Sequence, residues 1–118
     1  MTTPAKLKLT IYQGATFRRR LQWLQPDRTP MDLSGCTARM QVRAEVESPA
    51  VLLTLTTEDG RIALGGTAGT IDLIVSDGDT APLAWGCGVW DLEIAHPGGD
   101  VTRLAQGSIS VSPEVTRV

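Results

Sequence analysis

Apolar and polar residues alternate with a period of two along most of the chain, which is typical of strands with one buried face. In KLKLTI (6–11) the apolar side chains share one face and the lysines the other. TARMQVR (37–43), VLLTLT (51–56), TIDLIV (70–75) and VWDLEI (89–94) repeat this pattern. The predicted inward residues are Leu7, Leu9, Ile11, Ala38, Met40, Val42, Val51, Leu53, Leu55, Ile71, Leu73, Val75, Trp90, Leu92 and Ile94.

Turn signals separate these segments at short intervals. QPDRTP (25–30), EDG (58–60), GGTAG (65–69) and HPGGD (96–100) carry the proline, glycine and aspartate residues of tight turns. We therefore predict an all-β fold in one domain, residues 1–118. The expected architecture is an antiparallel β-sandwich of about 7–9 short strands.

Two places interrupt the strand pattern. The segment SDGDTAPLAWG (76–86) predicts at most one short helical turn, capped by Asp79 or Thr80. In the last strand, Leu104 and Ile109 can both face the core only if a bulge at Gly107 switches the alternation.

The stretch TFRRRLQW (16–23) places three arginines inside an apolar strand pattern. At a period of two, Phe17, Leu21 and Trp23 point inward, whereas Arg18 and Arg20 point outward. Arg19 shares the apolar face. We expect it to be partly buried near a sheet end, with its head reaching water or an acid.

The composition indicates a folded domain without a membrane span. Of 118 residues, 42% are hydrophobic, enough for a core, and no apolar run approaches the length of a bilayer-crossing helix. The start, MTTPAKLKLTIYQ, has no apolar signal-peptide region, so we expect synthesis and folding in a cytoplasm.

The net charge of −2 hides an asymmetry between the two parts of the chain. Residues 1–43 carry eight Lys or Arg and two acids, whereas residues 44–118 carry three Lys or Arg and eleven acids. Such a domain either pairs its basic and acidic strands internally or presents opposite poles. Opposite poles favour head-to-tail contacts between copies, or docking onto charged partners.

The outward charges are the candidate contact residues for protein partners: Arg18, Arg20, Arg39, Arg43, Asp91 and Glu93. The four arginines form one basic sheet face if their two strands are neighbours. Alternatively, Asp91 and Glu93 neutralise them across strands. Nucleic-acid binding needs a broad basic surface with exposed aromatics, and most aromatics here fall on core faces, so no nucleic-acid partner is expected.

Candidate catalytic or metal-binding residues are few. Cys36 and Cys87 lack metal-ligand spacing, and we expect two small buried thiols, with a disulfide disfavoured in a cytoplasm. The single histidine, His96, is predicted at a solvated hairpin tip. Asp77 and Asp79 could hold calcium, although a capped turn is simpler. We expect no enzyme activity, cofactor, metal or small-molecule substrate.

Two segments carry a resemblance to a known family: IYQGATFRRRLQWLQPDRTPMDLSGCTARMQVR (11–43) and GVWDLEIAHPGGDVTRLAQGSISVSPEVTR (88–117). Over nearly its whole length, the chain resembles a family of small structural proteins of phages and prophages. Over residues 9–43 and 89–111 it is also similar to the N-terminal domain of phage baseplate upper proteins. Those domains fold as an immunoglobulin-like sandwich and anchor receptor-binding parts to the tail.

The resemblance implies a non-enzymatic virion protein of a tailed bacteriophage, assembled in the bacterial host cytoplasm. The expected role is a tail or baseplate adaptor that helps attach fibres through symmetric contacts with other virion proteins and with copies of itself. The alternatives are a capsid decoration (cement) protein, a head–tail connector or, in another class, a carbohydrate-binding accessory module. The terminal SPEVTRV (112–118) is either a loose end or an arm that inserts beside a neighbour.

Overall fold

In a computed structural model, which describes residues 4–116, the chain forms two β-sheets around one shared core. Strands make up 50% and helical residues 6%, which confirms the all-β prediction. In chain order the strands are β1 (Ala5–Tyr12), β2 (Phe17–Gln22), β3 (Thr37–Arg43), β4 (Leu53–Thr56), β5 (Ile62–Leu64), β6 (Thr70–Val75), β7 (Cys87–Ala95) and β8 (Val101–Ser112).

The larger sheet has five strands in the order β1-β8-β7-β3-β4, and the smaller has three in the order β2-β6-β5. All neighbouring strands are antiparallel except β1 and β8, which run parallel. The prediction of a wholly antiparallel fold was therefore wrong for this pair. Alternation of apolar and polar residues defines the faces of a strand but carries no information about its direction or its partner.

The core combines the inward residues of both sheets, and the period-two pattern located it well. Of the fifteen inward residues predicted from the five alternating segments, thirteen are buried, while Leu7 is half-buried against the same core. Val51 is 39% exposed, so its predicted inward position was wrong. It precedes β4, which begins only at Leu53.

A β-bulge in β8 lies at Leu104 rather than at Gly107. Opposite β7, Leu92 pairs with Ala105 but the next residue, Glu93, pairs with Arg103, so Leu104 is the extra residue. Because an extra residue reverses the alternation, Ala105 faces the core and Arg103 faces outward. The predicted reversal of side-chain alternation in β8 is therefore present, but at Leu104.

Gly107 has another role, in the contact between the first and last strands. It pairs with Leu7 in the parallel ladder, and a Cβ at this position would overlap the Leu7 carbonyl group. The close approach of β1 to β8 therefore requires glycine at this position.

Two short helical turns connect the strands, one more than predicted. Helix α1 (Asp77–Thr80) lies within the predicted segment, but its cap is Ser76, whose hydroxyl accepts the Asp79 N–H at 3.2 Å. A 3-10 turn occupies Gly66–Ala68. No helix between residues 4 and 116 has the length and apolar content that crossing a membrane requires.

The C-terminal segment after β8 is attached to the domain rather than loose as far as Glu114. The backbone N–H of Glu114 donates to the side-chain oxygen of Gln13 at 2.9 Å, while Val115 and Thr116 are exposed. The last two residues of the predicted arm, 117 and 118, lie outside the described residues.

Candidate protein-interaction face

The outer face of the five-stranded sheet is concave, with an open groove of about 990 Å³. The strand registers place its side chains in three transverse rows. From β8 to β4, the first row is Arg103, Glu93, Arg39 and Thr56. From β1 to β4, the second row is Lys6, Gln106, Asp91, Gln41 and Thr54. From β1 to β3, the third row is Lys8, Ser108, Val89 and Arg43.

The concavity follows from the sizes of the side chains in the third row. Lys8 and Arg43 stand at its two ends, three strand spacings apart, which is about 14 Å. Between them lie only Ser108 and Val89. Long cationic side chains therefore border a floor of small residues.

Two acids on β7 are paired within this face. Arg39 donates to Glu93 at 2.9 Å, directly across the β3–β7 ladder. Arg103 lies 3.7 Å from the carboxylate of Asp91, on the diagonal. The second pair exists because the bulge turns Arg103 outward. The predicted neutralisation of Arg39 by Glu93 is present.

Arg43 is held by neutral acceptors instead of acids. Its guanidinium donates to the backbone carbonyls of Ser48 and Pro49, both at 2.8 Å, and to the Gln41 side chain at 3.0 Å. These contacts fix the β3–β4 connection at the rim of the face, where Val46 is 81% exposed. They orient the arginine, but no acid among residues 4–116 forms an ion pair with it.

The face therefore has a positive balance. Five cations and two acids line it, which gives a net charge of +3. The side chains of Lys6 and Lys8 form neither hydrogen bonds nor ion pairs with other residues of the 4–116 range. We call this surface the basic face: Lys6, Lys8, Arg39, Arg43, Arg103, Asp91 and Glu93.

Arg18 and Arg20 do not belong to the basic face. They lie on β2, in the three-stranded sheet, whereas Arg39 and Arg43 lie on β3 in the other sheet. The condition for one surface with four arginines, that their two strands are neighbours, is therefore not met. Since neighbouring strands cannot be identified from alternation alone, the sequence could not decide this point.

The two outward arginines of β2 differ in their contacts. Arg20 forms a bidentate pair with Asp72, at 2.7 and 3.0 Å. This hydrogen bonding lowers the pKa of the Asp72 carboxyl group and raises the pKa of Arg20. Arg18 is exposed, and its side chain has no hydrogen-bond or salt-bridge partner among the described residues.

Arg19 pairs with the fully buried Leu73, which places it on the inner face of the smaller sheet. It is exposed, so the expected partial burial was wrong. β2 is an edge strand, and from there a long side chain reaches water. An inward charge on an edge strand is a common protection against pairing with other chains.

The single histidine is part of a small cluster rather than a solvated tip. His96 is half-buried, its Nε2 lies 3.0 Å from the Thr102 hydroxyl, and its Nδ1 lies 3.7 Å from Cys36 Sγ. The Trp23 ring meets the imidazole edge-on at 5.7 Å between centroids. The predicted exposure of His96 was therefore wrong.

The two thiols are separate and neither is fully buried, contrary to the prediction. Cys36 is half-buried and Cys87 exposed, and both are free. Burial raises the pKa of the Cys36 thiol, and the charge of Asp32 raises it further. Its raised pKa keeps the thiol protonated within hydrogen-bonding distance of His96 Nδ1, so this geometry favours a structural contact over an activated nucleophile.

Asp77 and Asp79 lie in the short helical turn capped by Ser76. The Asp79 carboxylate accepts a hydrogen bond from Arg61 at 2.8 Å, which lowers its pKa. Within residues 4–116 no group of three or more His, Cys, Asp or Glu side chains is arranged to hold a metal ion.

Sequence reasoning missed three members of the basic face: Lys6, Lys8 and Arg103. The alternation in KLKLTI put both lysines on the outward side but did not reveal that β1 joins β8 beside β7. In an uninterrupted strand Arg103 would lie on the same face as the buried Ala105. It faces outward because the bulge reverses the alternation.

No protein-family model and no curated protein matches the chain.

Proposed function

We propose that this chain is a non-enzymatic structural protein of a tailed-phage virion, in which it acts as a tail or baseplate adaptor. The observation that carries the proposal is the basic face, which is large, concave and bordered by uncompensated cations. A surface of this kind suits a protein partner, because charge complementarity steers association and fixes orientation. The resemblance of residues 11–43 and 88–117 to small phage structural proteins supports the same role.

The immunoglobulin-like assignment of the fold is part of this proposal. Two sheets around one core, with the first strand parallel to the last, are compatible with it. The distribution of aromatics does not favour the carbohydrate-binding alternative. Tyr12 is 63% exposed, whereas Phe17 and Trp90 are buried and Trp23 and Trp85 are half-buried.

The test is gold-labelled antibody imaging of particles purified from the strain that encodes the chain, together with mass spectrometry of those particles. Label at the tail tip or fibre base is the expected result. Label over the head would replace the adaptor role with capsid decoration, and label at the neck would replace it with a connector role. Particles that contain no peptide of the chain would contradict the virion proposal altogether.

A paired substitution tests whether the basic face makes the contact. Lys6→Glu with Lys8→Glu changes two cations without local partners and should reduce incorporation into particles. Arg18→Glu is the control on the other sheet, because Arg18 is likewise an exposed cation whose side chain has no partner among the described residues; it reverses one charge instead of two. If the Lys6/Lys8 variant is incorporated as well as Arg18→Glu and the wild type, the basic face takes no part in assembly.

A further inference from the structure

A second charged surface lies on the β4–β5 side of the domain. The connection between β4 and β5 carries Glu58, Asp59 and Arg61, and the Arg61–Asp79 ion pair at 2.8 Å joins it to α1. All four acids of this region, Asp77 included, are exposed. We call it the acidic edge: Glu58, Asp59, Asp77 and Asp79 with Arg61, which together carry a net charge of −3.

The basic face and the acidic edge are at different places in the fold. Lys6 and Lys8 lie on β1, at one edge of the five-stranded sheet, whereas the β4–β5 connection begins beside β4 at the other edge. Four strand spacings separate these edges, which is about 19 Å. For these two lysines the separation exceeds the Debye length of about 8 Å at physiological salt, so the acidic edge does not neutralise them within one molecule. Arg39, which belongs to the same face, lies nearer, on β3 beside β4, and its charge is paired with Glu93.

The basic face and the acidic edge carry net charges of equal size and opposite sign. The basic face has a balance of +3 and the acidic edge a balance of −3. On each surface some charges form local ion pairs, and others form none within residues 4–116: Lys6 and Lys8 on the face, Glu58 and Asp77 on the edge. The same chain thus carries both halves of a complementary contact.

We propose that the basic face of one copy binds the acidic edge of a second copy, head to tail. The proposal rests on the assembly role proposed above and specifies one of its partners. A contact between two different surfaces is heterologous, so it repeats from copy to copy and ends in a ring or an open filament. Exposed ion pairs are individually weak, so such a contact is salt-dependent and gains strength from repetition in an assembly.

Sedimentation and light scattering of the purified chain test the contact directly. The weight-average mass should rise with protein concentration between about 1 µM and 1 mM, the range that reveals weak association. It should fall to that of the monomer when salt is raised from about 0.02 M to about 0.5 M, since screening shortens the reach of the charges severalfold. A monomer at low salt over the whole concentration range would overturn the proposal.

Two charge-reversed variants identify the surfaces. Lys6→Glu with Lys8→Glu gives a molecule with two acidic surfaces, and Glu58→Lys with Asp77→Lys gives one with two basic surfaces. Each should stay monomeric alone, whereas an equimolar mixture should associate again, because each supplies the complement that the other lacks. Arg18→Glu should associate like the wild type. A mixture that stays monomeric, or a variant that still associates alone, would overturn the head-to-tail contact.

A failure of self-association can be distinguished from a failure of the proposed virion role. A monomeric wild type that is nevertheless present at the tail would refute self-association and leave the virion role in place. Binding of DNA or of an unrelated acidic protein to the basic face, without self-association, would also count against a second copy as its occupant.

Discussion

The side-chain oxygen of Gln13 accepts the backbone N–H of Glu114 at 2.9 Å, across 101 positions of sequence. The amide nitrogen of the same side chain donates to the carbonyls of Ala81 and Leu83, each at 3.0 Å. One half-buried side chain therefore joins the β1–β2 turn, the exit of α1 and the segment after β8.

Gln13→Ala should destabilise the domain because it removes three hydrogen bonds that join distant segments. We expect the free energy of unfolding to fall by about 1–3 kcal/mol in urea denaturation. Hydrogen exchange at Glu114 should become faster. The control Gln22→Ala removes a single exposed bond to Ala68 and should cost much less. Equal losses of unfolding free energy in the two variants would show that the three Gln13 hydrogen bonds stabilise the fold no more than one exposed bond does.

Gly107→Ala should separate β1 from β8, since the added Cβ meets the Leu7 carbonyl group. The expected loss in the free energy of unfolding is about 1–3 kcal/mol or more, measured by urea denaturation. Gly98→Ala is the control, because nothing lies within 4 Å of a Cβ at that position. If both variants unfold at the same urea concentration, the spacing between β1 and β8 does not require glycine at position 107.

Arg19→Val should make the protein aggregate without unfolding it. The substitution completes an apolar inner face on the edge strand β2 and removes its protective charge. Light scattering at increasing concentration should detect aggregates earlier than for Arg18→Val, which changes the outer face of the same strand. Unfolding midpoints should remain close to the wild type. Identical solubility of the two variants would contradict the edge-protection role.

The Arg20–Asp72 pair should make stability depend on pH in the acid range. The pKa of the Asp72 carboxyl group in the folded protein lies below the ordinary 3.8. The ionised carboxylate therefore stabilises the fold above pH 3.8, and this contribution is lost as the pH falls through the lowered pKa. Asp72→Asn should therefore destabilise the protein at neutral pH and have progressively less effect below about pH 4. In an Arg20→Leu background this pH dependence should largely disappear. Its persistence there would assign the effect to another group.

The two thiols should react at different rates with a disulfide reagent. Cys87 is exposed, whereas Cys36 is half-buried and its raised pKa lowers its thiolate fraction at neutral pH. Cys36→Ser, which retains Cys87, should be labelled faster than Cys87→Ser, which retains Cys36. A faster reaction of Cys36 would indicate that His96 activates the thiol.

The sequence predicted the faces of the strands better than their arrangement. Thirteen buried inward positions follow from local alternation, because a pleated strand exposes its two faces regardless of its neighbours. Strand order is a long-range property, so neither the parallel β1–β8 pair nor the assignment of β2 and β3 to different sheets had a local signal. For the site, Arg39, Arg43, Asp91 and Glu93 were predicted and lie together. Lys6 and Lys8 required the strand order, Arg103 required the bulge, and Arg18 and Arg20 belong elsewhere.

The parallel pairing of β1 with β8 also determines how the domain responds to tension. Eight paired positions run from Ala5 with Ala105 to Tyr12 with Ser112. The chain enters β1 at Ala5, at one end of this ladder, and leaves β8 at Ser112, at the other. Pulling these two residues apart slides one strand along the other, so that all the bonds of the ladder bear the load together. The first and last strands thus form a shear clamp, which ruptures as a unit instead of opening bond by bond.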